Sequence, residues 1–338
     1  MTVTLALAGD TMLGRGVAQT LERSGPGALF ADDVVEATRA ADLFVLNLEC
    51  CISEQGEPWP APGKPFFFRA PTVAADVLTN LGVDCVTLAN NHALDFGEEA
   101  LLDTFEHLRR AGIAWVGAGQ DAARARSPTY LEARGFRLAV LGVTDHPEDF
   151  AATDERPGVA FANLRREVPA WLTDQVEQAR DTADAVLVTP HWGPNMVPEP
   201  VGHVRAAAKA IRDAGATVIA GHSAHVFHGI AERVLFDLGD FVDDYRVDPV
   251  LRNDLGLLFL VTLGDGGASA VEALPLKLDY CHTHVASGED GTLIRRRFRE
   301  ACLAMGTDVR EEGERLAVDL GGEDSGDQSS RSSDRPSS

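Results

Sequence analysis

The chain has 338 residues, 45% of them hydrophobic, enough to bury one large α/β domain or two smaller ones. Its 52 acidic and 30 basic residues leave a formal net charge of -22, a balance that argues against nucleic acid and anionic membranes as partners. Five cysteines without CxxC spacing argue against a disulfide scaffold; with no secretory leader and no apolar run of about 18 residues in sight, a cytoplasmic chain without a membrane span is expected.

The apolar run 3–8 reads as a buried first strand that ends at Gly9-Asp10. A helix over 34–41 and a second strand over 43–46 follow, the latter ending at Asn47-Leu48-Glu49. Residues 51–68 are rich in Pro, Gly and aromatics and read as a long loop over one end of the sheet. A helix over 72–81, with Pro71 suited to its first turn, leads to a strand over 83–88 that ends in Asn90-Asn91-His92. A helix over 98–111 and a short strand over 114–116 come next, then a hairpin, 128–132 with 136–143, around Arg134-Gly135. The acidic loop 145–158 precedes a helix over 164–182 and a strand over 185–189 that ends at Pro190-His191-Trp192-Gly193. After a helix over 202–214, the strand 218–220 ends at Gly221-His222-Ser223-Ala224-His225. Strands are then predicted over 226–230, 234–238, 256–263 and 268–278, and a last helix over 291–304.

Alternation of strand and helix followed by a strand-rich stretch predicts a layered α/β sandwich, with sheet packed on sheet and helices outside. The domain is expected to span residues 1–306, followed by an acidic, Ser/Gly-rich disordered tail over 307–338.

Five of these strand ends deliver polar side chains: Asp10, Glu49, Asn91 with His92, His191, and His222 with His225. In open α/β sheets ligands gather at the carboxyl ends of strands. Two carboxylates, an amide oxygen and several imidazoles form a donor set suited to Mn, Zn or Fe. Single members admit other readings: Asp10 after a glycine is equally an N-cap, and a lone buried histidine is usually just a satisfied core residue. Glu49 sits in so apolar a stretch that it needs a partner or a cation. His92 has the right range for acid chemistry, and Asp95 three residues on is placed to fix its tautomer. Arg15 can clamp an anionic group, and Lys64 and Arg69 flank the aromatic loop. Cys281-His282-Thr283-His284 has metal-binding residue types but no second cluster to go with it. No Gly-x-Ser-x-Gly elbow and no phosphate-binding Gly-Lys-Ser/Thr loop occurs.

The set Gly9-Asp10 to Arg15, Asn47-Leu48-Glu49, Asn90-Asn91-His92 to Asp95-Phe96-Gly97, His191-Trp192-Gly193, Gly221-His222 to His225-Val226 and Leu238-Gly239-Asp240-Phe241 resembles the CapA family. These are poly-γ-glutamate capsule biosynthesis proteins, related to calcineurin-like metallophosphoesterases. The resemblance covers about residues 2–278 and implies a four-layer α/β/β/α sandwich, metallophosphoesterase-like. It implies Asp10 as ligand of one metal, Glu49 as the bridging carboxylate, and Asn91, His191 and His222 on the second metal, with His225 returning to the first. It implies His92 as the acid that protonates a leaving group, steadied by Asp95. The chain departs from the superfamily pattern where Asp10-Thr11-Met12 lacks the histidine of Asp-x-His, where one extra residue separates His222 from His225, and where Gly239-Asp240-Phe241 replaces Gly-Asn-Phe. One or two divalent ions are therefore expected. The function implied is a metal-dependent hydrolase acting on an amide or phosphoester of an anionic small molecule or γ-glutamyl polymer. The alternative is a non-catalytic assembly or polymer-binding factor using the same pocket, with a capsule synthase subunit as its partner.

Overall fold

The first strand shows how the sequence sets the architecture. In β1 (Thr2–Thr11) the side chains of Val3, Leu5 and Leu7 enter one core cluster, while Ala6 and Ala8 enter another. A strand that is apolar on both faces must be covered on both. The computed structural model describes residues 2–321 and shows what covers each face.

On one side lie α1 (Arg15–Ser24) and α2 (Asp32–Arg39). β2 (Leu43–Leu48) then pairs with β1 in parallel, Leu5 opposite Leu43. The short strands β3 (Cys51–Ile52) and β4 (Arg69–Ala70) form a pair of their own and fix the two ends of the long aromatic loop. Next come α3 (Ala74–Leu81), β5 (Cys85–Thr87), α4 (Gly97–Ala111) and β6 (Ala114–Val116), with β5 and β6 extending the parallel run. Val17, Val34, Leu78 and Leu101, one from each helix, pack with Ala6, Phe44 and Val86 of the strands.

The next stretch builds a second sheet. β7 (Ala118–Gly119) and α5 (Ala122–Arg126) lead to β8 (Thr129–Ala133) and β9 (Phe136–Thr144), the predicted hairpin. β10 (Gly158–Val159) pairs back with β7. Then follow α6 (Ala170–Arg180), β11 (Ala185–His191), α7 (Gly202–Asp213), β12 (Val218–Ala220), β13 (Ile230–Ala231) and β14 (Val234–Leu235). The sheet runs β13-β14-β12-β11-β9-β8. Leu138, Val140, Leu187 and Val218 share one core with Val3, Leu5 and Leu7 of the first sheet. The alternate residues Ala139, Leu141, Val186 and Ile219 pack with Val176 of α6 and Ile211 of α7.

The chain then returns to the first sheet with β15 (Asp240–Val242), β16 (Leu255–Gly264), β17 (Gly267–Asp279) and β18 (His282–Val285). After α8 (Gly288–Leu303) come β19 (Arg310–Glu312) and β20 (Arg315–Asp319). The first sheet's main path is β19-β20-β17-β16-β1-β2-β5-β6. The molecule is thus a mixed α/β fold with two large sheets.

Three expectations need correction. The domain does not stop at 306: β20 pairs with β17, and Leu316 and Val318 are buried in the core between the sheets. The remainder of the expected tail, 322–338, lies outside the described residues. The helix predicted over 164–182 begins only at Ala170, because Pro169 opens it with extended backbone. The strands predicted over 226–230 and 234–238 shrink to two residues each, since Glu232 and Arg233 take positive φ, 50° and 65°, in a tight turn between them.

Candidate metal centre

Asp10, Glu49, His191 and His222 are brought together because strands from both sheets end at one seam. Gly9 lets β1 reach it: a Cβ there would lie 1.8 Å from the Gly239 carbonyl oxygen, and the Asp10 amide donates to that oxygen at 2.9 Å. Register shifts at Asp10 against both β2 and β15 turn its carboxylate into the seam. From β2, Asn47 holds two acids with one amide, Nδ2 donating to Asp10 Oδ1 at 2.7 Å and Glu49 Oε2 at 3.3 Å. Asn90 in turn donates to Asn47 Oδ1 at 2.9 Å, which fixes the orientation of that amide. His191 ends β11 and bridges to His222 through the backbone. His222 Nδ1 lies 3.4 Å and His225 Nδ1 3.3 Å from the Asp10 carboxylate.

All of these carboxylates are buried. Burial raises the Asp10 carboxyl, but His222 and His225 outweigh it and hold Asp10 well below the ordinary range. Burial, then the charge of Asp10, pushes Glu49 well above it. Burial and the neighbouring His146 hold His191 well below the usual imidazole value, so it is neutral and able to donate a lone pair. Burial lowers His225 too, yet Asp240 and Asp10 prevail and raise it.

The donor atoms fit a divalent cation. Asp10, Glu49 and His191 each offer an atom within 4.8 Å of the others. Glu49 Oε1, Asn91 Oδ1, His191 Nδ1 and His222 Nδ1 are buried without a hydrogen-bond partner. Buried polar atoms are rarely left so, and here several lone pairs go unpaired at one seam. Oxygen and imidazole donors of this kind suit Mn, Fe or Zn.

Beside this cluster, His92 Nδ1 sits 2.5 Å from Asp95 Oδ2, and that oxygen also accepts from the Phe68 amide at 2.7 Å. Lys64 pairs with the other Asp95 oxygen and donates to the Asn91 carbonyl at 2.5 Å. His92 Nε2 lies 3.8 Å from Glu49 Oε1. Burial lowers the His92 imidazole below its usual value, against the pull of Asp95. His92, Asn91 and His225 line a cleft of about 370 Å³ with Lys64, Phe66, Asn195, Tyr245, Arg246 and Asn253.

Arg15 is placed otherwise than expected. It does not line this cleft; its Nε pairs with Asp244 Oδ2 at 3.3 Å, and its guanidinium lies over Phe66, 4.3 Å from the ring centroid. It thus lies behind Phe66, which itself lines the cleft, and its Nη1 is buried without a hydrogen-bond partner. Cys281-His282-Thr283-His284 stays apart from the site, with His282 bonded to the Ala28 carbonyl and His284 beside Asp279.

Two groups escaped the sequence reading. Asp240, on β15, lies 2.8 Å from His225 Nδ1. Its signal was the Gly239-Asp240 pair, which repeats Gly9-Asp10. Asp145 holds both His146 and His203, the latter at 3.1 Å, and the His146 ring lies 5.2 Å from that of His191. Asp145, His191 and His203 are far apart in sequence and carry no shared motif.

The family model described as bacterial capsule synthesis protein PGA_cap matches residues 4–245. The chain is similar to a probable polyglutamine synthesis accessory protein of Mycobacterium tuberculosis, 30% identical over 91% of this chain and 93% of that protein. It is similar to the capsule biosynthesis protein CapA of Bacillus anthracis, 30% identical over 82% of this chain and 67% of that one. The PGA biosynthesis protein CapA of Bacillus subtilis is 31% identical over 70% of this chain and 62% of its own length.

Proposed function

The chain belongs to the bacterial capsule synthesis protein family PGA_cap, and from that membership we propose a metal-dependent hydrolase acting on an amide or phosphoester of an anionic substrate. The names of its relatives point to polyglutamine synthesis and to capsule or PGA biosynthesis, and with the resemblance to poly-γ-glutamate capsule proteins this favours a γ-glutamyl polymer as that substrate. The observation that carries the reading is the convergence of unpartnered donors, Glu49 Oε1, Asn91 Oδ1, His191 Nδ1 and His222 Nδ1, beside Asp10. Two sheets sharing one core, with helices on their other faces, support a four-layer α/β/β/α architecture of the metallophosphoesterase kind.

Asp10, Glu49, Asn91, His191, His222 and His225 would hold one or two divalent ions. Such an ion supplies Lewis acidity to a substrate oxygen and makes water a better nucleophile. The protein's own part is positioning and proton transfer. Asp95 fixes His92 through Nδ1, which leaves Nε2 facing the cleft to give a proton to the leaving group. Lys64 and Arg246 on the cleft wall attract an anionic group. Phe66 and Met196 give the cleft an apolar side that keeps water from the proton donor.

The test is metal analysis of protein purified without chelator, with turnover on aryl phosphoesters and γ-glutamyl anilides. His92→Ala should cost about 10²- to 10⁴-fold in kcat, and His191→Ala should lose both metal and turnover. Metal-free protein, or activity that survives both changes, overturns the reading. The accessory role in the name of the mycobacterial relative favours a second reading, a polymer-binding assembly factor. That reading predicts polymer binding at the cleft, no turnover, and association with a synthase subunit.

A further inference from the structure

We infer that Asp240 is a direct ligand of a second divalent cation, held by Asp10, His225 and Asp240, and that Asp10 rather than Glu49 is the carboxylate shared by the two cations. This rests on the metal-dependent reading above and adds to it a donor, a stoichiometry and a bridging group.

The backbone carries the first part. β15 runs parallel to β1 with Asp240 opposite Asp10, and Gly9 against Gly239 lets the two strands meet at their acidic residues. The two Gly-Asp pairs therefore deliver two carboxylates side by side from opposite ends of the sequence.

The side chains carry the second part. Asp10, His225 and Asp240 each present an atom within 4.8 Å of the other two, and all three are buried. His225 Nδ1 is 2.8 Å from Asp240 Oδ1 and 3.3 Å from Asp10 Oδ2, spacings that neighbouring ligands of one cation adopt. A hydrogen bond from His225 would account for one oxygen of Asp240. The other, Oδ2, is buried with no partner, in a residue only 1% exposed. An uncompensated carboxylate oxygen at that depth is costly, and a cation removes the cost.

Asp10 belongs to both groups of converging donors, whereas Glu49 belongs to only one. The Asp10 oxygens also divide: Oδ1 faces His222, and Oδ2 faces His225. A carboxylate with one oxygen toward each group is placed to bridge. Two carboxylates and one imidazole make the second position oxygen-rich, which favours Mn or Fe over Zn there.

The test is to strip the full chain with chelator, reload it with Mn²⁺, desalt it, and count the metal by mass spectrometry. Wild type should hold two Mn per chain, with the exchange-coupled paramagnetic resonance signal of a bridged pair. Asp240→Asn should hold one, with the six-line signal of an isolated Mn²⁺. His225→Ala should likewise drop from two to one, and it keeps the inference testable if Asp240→Asn fails to fold. Asp240→Asn that still holds two coupled ions refutes the inference, as does wild type holding one ion; Asp240 then only steadies His225. Wild type that binds no metal refutes the metal-dependent reading as well.

Discussion

Asp95 ties His92 to the aromatic loop, and removing it should loosen both at once. One of its oxygens accepts from His92 Nδ1 at 2.5 Å and from the Phe68 amide at 2.7 Å, and the other pairs with Lys64. The carboxylate is fully buried. Asp95→Ala leaves the Phe68 N–H without an acceptor, a loss of about 1–3 kcal/mol. It also breaks a buried ion pair from one side, about 3–5 kcal/mol where the partner stays dry. The Lys64 side chain keeps 16% exposure and the Asn91 carbonyl, so the second cost is taken at less than that range. A total of about 4 kcal/mol is expected. At roughly 2.1 cal/mol/K per residue, that lowers Tm by about 6 °C for a chain of this length. The assay is calorimetry on chelator-treated protein, so that cation binding does not enter. Asp95→Asn retains an acceptor for the Phe68 amide and should lose about half as much. An Asp95→Ala protein that melts within a degree of wild type would show that this carboxylate does not anchor the loop.

Gly9→Ala should destabilise by about 3 kcal/mol in urea and lower bound metal, because its Cβ would strike the Gly239 carbonyl and part β1 from β15. Leu316→Ala should cost about 2–5 kcal/mol by thermal melting, since β20 closes the core between the sheets; a negligible change would return residues past 306 to the status of a tail. Burial pushes the thiols of Cys51 up to about 12 and Cys302 up to about 11. Their thiolate fraction at pH 8 is therefore far below that of an ordinary thiol near 8.5, and raising the pH to 9 should leave them slow toward a disulfide reagent in native protein, while all five cysteines react in denaturant. Mn²⁺ at about 100 times its Kd should add about 2.7 kcal/mol of stability, read as a rise in Tm that chelator reverses.

Most of the strands, and the polar residues at their ends that converge at the seam, were legible because each is a local event: an apolar run of strand length, then a polar residue. Val3 to Ala8 before Asp10, and Ala185 to Thr189 before His191, carry that signal in a few residues. What could not be read depends on pairing between distant segments. Arg310-Glu311-Glu312 is wholly polar, and it is strand only because β20 pairs with β17 and draws it to the edge. Asp240 stood out in the sequence only as the Asp of Gly239-Asp240-Phe241 in place of Gly-Asn-Phe, and its nearness to Asp10 comes from the register of β15 with β1. Arg15 reads as a residue able to clamp an anionic group; its packing against Asp244 and Phe66, far from it in sequence, could not be read from its own neighbourhood.

The charge of -22 looks hostile to an anionic substrate, yet its reach is short. Exposed charges are screened beyond about 8 Å at physiological ionic strength, so most of that surface is not felt inside the cleft. What is felt there is local. Lys64 pairs with Asp95, Asn47 donates hydrogen bonds to Asp10 and Glu49, and His222 and His225 lie beside the Asp10 carboxylate. Arg246 is exposed on the cleft wall and has no ion-pair partner among the described residues. Asp10 accepts from Asn47 and lies beside His222 and His225, whereas Glu49 and Asp240 each keep a buried oxygen without a partner. On the metal-dependent reading proposed above, Arg246 is the exposed cleft-wall charge that an anionic group would meet, within the screened reach of the acidic exterior.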